Sequence, residues 1–170
     1  MAPNPRLGFA LLGLLACNTA YYLVAGRSSE ALESLAWYTL LILFTLESVR
    51  SHHRRSTRTL TFMRGVRGLA TLAIVITAVL YVLEKEWLDA INLFLWIAVV
   101  ALLEIEVRYP ASVATCHNAY ARVAALLYAL LGTLVLIWLA RGEWMDAWDA
   151  ALWLAAFGLL ELNLLGRHST

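Results

Sequence analysis

Charged side chains are scarce in this 170-residue chain, at 15% of positions, and they nearly cancel to a formal +1. That leaves no basic surface for a nucleic-acid partner, and only the distribution of the charges is informative. Cysteine is scarcer still, with two in all. Cys17 falls in an apolar run and Cys116 in a loop expected on the cytoplasmic side. A disulfide there has neither partner nor oxidising surroundings, so both are expected to be free thiols. The histidines, His52, His53, His117 and His168, lie outside every apolar stretch, which excludes the inward-facing pair that holds a membrane b-type haem. A zinc site drawn from Cys116, His117, His52 and His53 would match no standard spacing. No nucleophile and base pair, glycine-rich phosphate loop or metal-hydrolase motif occurs, and Glu104, Glu106 and His117 alone are too thin a set for catalysis. The chain therefore reads as a non-enzyme without a cofactor.

What fills the sequence instead is apolar. The hydrophobic fraction is 62% and the mean hydropathy +0.72, against about half apolar residues in an ordinary soluble domain. A bilayer core about 30 Å thick takes roughly 20 apolar residues in a helix. Six stretches qualify: Leu7 to Ala25, Ala31 to Val49, Val66 to Leu83, Trp87 to Val107, Ala119 to Ala140 and Trp144 to Leu165. Arg6 and the run ending Leu14-Leu15-Ala16-Cys17 resemble a lipoprotein signal, but apolar residues continue to Ala25, longer than such a segment, so this too reads as a span.

The connections sort the basic residues. Arg6, Arg50, Arg54, Arg55, Arg58, Arg64, Arg67, Arg108, Arg122 and Arg167 fall on one side, and Arg27, Lys85 and Arg141 on the other. Positive charge marks the cytoplasmic side, so the expectation is six spans with both ends in the cytoplasm of a bacterial-type inner membrane. Glu30, Glu33, Glu84 and an acidic rim of Glu86, Asp89, Glu143, Asp146 and Asp149 lie outside, mostly near helix N-termini, where negative charge suits the helix dipole. Trp87 and Trp144 stand there as interface anchors.

Displacing the chain by 57 residues aligns Glu86 to Glu104 with Glu143 to Glu161, with ten of nineteen positions identical, among them two Trp, two Glu and one Asp. A second displacement reaches Leu46-Glu47, where Trp37 stands two places out of step with Trp96. Matches in rare residues indicate an internal repeat. The unit is a hairpin that leaves the cytoplasm and returns, in three parallel copies at approximately residues 7–50, 64–108 and 119–167 of a single membrane domain. Asp89, Asn92, Trp96, Leu103 and Glu104 share one helical arc, as do Asp146, Asp149, Trp153, Leu160 and Glu161, so each arc is expected to face protein, with Trp96 and Trp153 packed deep.

Glu47, Glu104 and Glu161 sit near cytoplasmic helix ends, where a carboxylate loses hydration and meets the negative end of the dipole. Each is expected to find a partner, with Arg50, Arg64, Arg67, Arg108 and Arg122 in reach. One reading makes them structural ion pairs in an accessory or scaffold subunit. The alternative makes them a convergent proton or cation site in a small transporter or channel. The loop bearing Arg54, Arg55 and Arg58 suits anionic lipid at the cytoplasmic face as well as topology. A membrane-protein partner or a second copy is the other expected contact.

Overall fold

A computed structural model describes the backbone of residues 5–49 and 57–168, and the side chains of residues 10–46, 59, 61–106, 108–109 and 111–158. Among the described residues all regular structure is helical: α1 Pro5–Ala25, α2 Ser28–Val49, α3 Thr57–Glu84, α4 Trp87–Arg108, α5 Pro110–Thr115, α6 His117–Arg141 and α7 Trp144–His168. Each of the six apolar stretches lies within one long helix. The short α5 occupies what reads as loop. It opens on Pro110, whose missing N–H costs nothing in a first turn.

Three helices hold segments long and apolar enough to cross a membrane, Thr61–Glu84, Trp87–Glu106 and His117–Arg141, and a shorter apolar helix covers Ala10–Ala25. Most of each segment is not buried inside the protein. Val24, Phe62, Leu69, Leu83 and Leu136 are among many large apolar side chains on the outside. A surface of that kind suits hydrocarbon and not water. The all-helical fold is compatible with that of a helical membrane protein.

The chain divides into two compact units, one spanning Gly13–Glu86 and the other running from Trp87 onward together with the start of α1. In the first unit α2 packs closely on α3. The buried face of α3 is Ala70, Ile74, Thr77, Ala78 and Tyr81, a stripe at the three- and four-residue spacing of one helix side. On α1 the equivalent stripe is Leu15, Asn18, Thr19 and Tyr22. In the second unit α6 packs on both α4 and α7. Leu134 and Trp138 of α6 meet Ala147 and Ala150 of α7 in one buried cluster. Two alanines a turn apart let backbones approach, which is how helices pack tightly in lipid.

Two helix ends use the same device. After α3, Lys85 takes a left-handed backbone (φ 63°), its N–H donating to the Val82 carbonyl and that of Glu86 to the Tyr81 carbonyl, at 3.3 and 2.9 Å. After α6, Gly142 (φ 77°) and Glu143 donate in the same way to Leu139 and Trp138, at 3.2 and 3.0 Å. This pair of bonds satisfies carbonyls left open by the last turn and reverses the chain. The α1 to α2 turn is built differently. A side chain on Gly26 would stand 2.7 Å from the Tyr22 carbonyl oxygen, so only glycine fits there.

Candidate functional site

Buried polar side chains gather in the first unit, in a seam between α2 and α3. Ser29 and Glu33 lie one turn apart on α2, and Thr77, Tyr81 and Glu84 mark one side of α3. At the outer end of the seam the Ser29 hydroxyl donates to Oε2 of Glu84 at 2.8 Å. One turn deeper the Tyr81 hydroxyl donates to Oε2 of Glu33 at 2.5 Å. Tyr81 is 1% exposed and Glu33 half-buried, so the donor is shielded from solvent and the carboxylate partly so. A hydrogen bond to a carboxylate in such surroundings is among the strong ones. The two rungs descend α2 as they descend α3, as antiparallel neighbours must. The next rung brings Thr77 level with Trp37. Thr77 is 0% exposed, Trp37 is buried, and the Thr77 hydroxyl has no hydrogen-bond partner.

Two further links tie the seam in place. The Ser34 hydroxyl donates to Oγ1 of Thr19 at 3.1 Å, joining α1 to α2 through two buried residues. Above the seam, Arg27 pairs with Oε1 of Glu30 and with Oε1 of Glu86, each at 2.5 Å, while its N–H donates to Oε2 of Glu30. Glu30 thereby closes the first turn of α2 from within, as the acidic member of a capping box does.

The sequence-expected residues are spread differently. Glu104 is exposed and takes two bonds from Arg108 of its own helix, at 2.6 and 2.5 Å. Glu106, the neighbour on α4, accepts from the Tyr120 hydroxyl at 2.7 Å and so links α4 to α6. Arg64, Arg67 and Arg122 are exposed. The side chains of Glu47, Glu161, Arg50, Arg54, Arg55 and Arg58 lie outside the described residues. Of the acidic rim, Glu86 belongs to the Arg27 pairing, and Asp89, Glu143, Asp146 and Asp149 are half-buried at the starts of α4 and α7. Trp96 and Trp153 are buried and both stack on Phe157, with ring centroids 4.9 and 6.3 Å away. They serve as packing between α4 and α7. Cys17 and Cys116 are free, exposed thiols. Among the described residues no three or more His, Cys, Asp or Glu side chains are grouped to hold a metal ion.

Sequence reasoning missed the seam because it carried the 57-residue displacement back to the first hairpin. A displacement of 59 there aligns Glu30-x-x-Glu33-x-x-x-Trp37 with Asp89-x-x-Asn92-x-x-x-Trp96, and these with Asp146-x-x-Asp149-x-x-x-Trp153. The same register brings Tyr22, Tyr81 and Trp138 level, and all three are buried, as are Trp37, Trp96 and Trp153.

No family model matches the chain, and neither a curated protein nor a solved structure matches it.

Proposed function

We propose that this protein is a six-span bundle of three parallel hairpins in a bacterial-type inner membrane, with both ends cytoplasmic, acting as an accessory or scaffold subunit of a membrane complex. A long helix over each apolar stretch supports the six spans. The twin turns at Lys85 and Gly142, 57 residues apart, and the recurring buried aromatic positions support the hairpin repeat. The observation that carries the scaffold reading is how the acids are used. Glu30, Glu33, Glu84, Glu86, Glu104 and Glu106 each meet a hydroxyl or a guanidinium of this chain, and Glu33, Glu84 and Glu106 brace one helix against another. The wide apolar exterior offers contact to lipid, to a partner's helices or to a second copy, and the arginines of the cytoplasmic side suit anionic headgroups.

A second reading, a small proton- or cation-coupled transporter or channel, is favoured by one observation, the buried oxygen-lined seam of the first unit. Purified protein reconstituted in liposomes separates the two. Absence of proton and cation flux, with a larger complex retained in mild detergent, fits the scaffold. Flux lost in the Glu104→Gln and Glu161→Gln double variant, or in Glu33→Gln, overturns it.

A further inference from the structure

Two arginines lie inside apolar helix segments and not in the connections between them. Arg64 is the fourth residue of Thr61–Glu84 and Arg122 the sixth of His117–Arg141. Both are exposed, and among the described residues neither meets a carboxylate. None is on offer: α3 holds no acid before Glu84, and α6 holds none at all. At the same end of the second unit Glu104 is taken by Arg108 and Glu106 by Tyr120. A guanidinium in a water-facing loop needs no partner, but one on the outward side of an apolar helix is costly until an anion meets it.

Depth says where that anion stands. Glu84 and Arg141 close the far ends of the two segments, and Arg64 and Arg122 come twenty and nineteen residues before them. About 20 helical residues cross the hydrocarbon, so each guanidinium falls where lipid phosphates begin. The surroundings fit a lipid below that phosphate. Gly65 and Gly68 follow Arg64 on the side of α3 turned away from the buried Ala70, Ile74 and Tyr81, and a Cβ at either would meet nothing. The backbone is bare there, with Phe62 and Leu69 exposed beside it. On α6 the exposed Ala125 and Ala129 are the small residues that follow Arg122, with Leu126 exposed beside them. Charge decides the occupant. A second copy of the chain would bring like guanidinium to these faces, and a zwitterionic headgroup would bring an ammonium that finds no carboxylate on either helix.

We propose that α3 at Arg64 and α6 at Arg122 each bind one anionic phospholipid, the guanidinium holding its phosphate and the small residues beyond seating its glycerol and first acyl carbons. The inference deepens the membrane-bundle reading, on which it rests for the cytoplasmic leaflet as the source of the lipid.

The experiment uses the full chain in mild uncharged detergent, titrated with phosphatidylglycerol or phosphatidylcholine, with bound lipid counted by native mass spectrometry and thermal unfolding followed in parallel. Two phosphatidylglycerol molecules should bind saturably, each about tenfold more tightly than phosphatidylcholine. Arg64→Gln should lose one of them, and the double variant with Arg122→Gln both. Gly68→Leu adds its side chain to open space, so it should unfold no earlier than the native protein without lipid, yet bind at the α3 site about tenfold more weakly. Equal binding of the two lipids, native phosphatidylglycerol affinity in the double arginine variant or in Gly68→Leu, or displacement of the lipid by millimolar inorganic phosphate overturns the proposal. Binding in detergent depends on neither orientation nor a partner subunit. Loss of lipid selectivity therefore leaves the scaffold reading in place, and measured flux would end that reading without touching the lipid sites.

Discussion

In the unit spanning Gly13–Glu86 apolar packing between helices is joined by hydrogen bonds between side-chain oxygens, whereas in the unit that begins at Trp87 the contacts are largely those of indole rings and alkyl carbon. The contrast is sharpest at level positions. Tyr81, bonded to Glu33, corresponds to Trp138, which packs with Leu134, Ala147 and Ala150. Thr77, with its open hydroxyl, corresponds to Leu134. The helix ends that carry these residues turn the chain with the same two bonds. One backbone plan therefore accepts two kinds of interior. In lipid neither interior gains from the hydrophobic effect between helices, so shape holds both units and side-chain hydrogen bonds add to it mainly in the first. Each interior keeps a buried side-chain oxygen without a hydrogen-bond partner, that of Thr77 in the first and that of Asn92 in the second.

Changes on the two sides of this comparison should separate in size. Trp138→Ala empties a buried site that neighbouring alanines cannot refill, and is expected to cost about 3 to 5 kcal/mol, read from reversible unfolding in mixed detergent. If it costs under a third of that, shape is not what holds α6 to α7. Next comes Tyr81→Phe, which leaves the Glu33 carboxylate without its buried donor at a cost of about 2 kcal/mol. An equal loss in the Tyr81→Phe and Glu33→Leu double variant would mean that the loss does not come from leaving the Glu33 carboxylate without its donor.

The paired turns give a third comparison, in opposite directions. Lys85→Gly relieves a side chain held at positive φ and should stabilise by about 1 kcal/mol, while Gly142→Lys should lose about as much. Both shifts are read from the same unfolding curves, and shifts of the same sign would show that the two turns differ in kind. Ser34→Ala breaks the bond to Thr19 and should cost only about 0.6 kcal/mol, the usual size of a hydrogen bond between helices in a membrane. Glu104→Gln, on an exposed carboxylate paired within its own helix, should change stability by under about 0.5 kcal/mol. A loss several times larger would place Glu104 in a tighter setting than the Arg108 pairing.

The long helices were legible because each apolar run has a helix's length and is broken by Gly26-Arg27, Lys85-Glu86, Tyr109-Pro110 or Gly142-Glu143. The Arg108 partner of Glu104 was legible too, because a four-residue spacing puts both on one helix side. The seam was not. Glu33 and Tyr81 stand 48 residues apart, and nothing local to either says that they meet. Their partnership also hid behind the register of the first hairpin, where matching Leu46-Glu47 to Leu103-Glu104 fixes a displacement of 57. The buried positions line up at 59, which carries Glu47 to Glu106. α5 was unread because six residues after a proline hold too few apolar positions to show a period.

By itself the sequence determined that the chain is helical and suited to hydrocarbon, since length, apolar content and breakers act locally and need no knowledge of neighbours. It also set which residues lie one turn apart on a helix. Only the tertiary structure decided that Glu33, Glu84 and Glu106 brace one helix against another, and that Tyr81 meets Glu33. The reason is geometric. A hydrogen bond is made or lost within half an ångström, and the distance between atoms on different helices is set by how those helices pack, which no single stretch of sequence encodes.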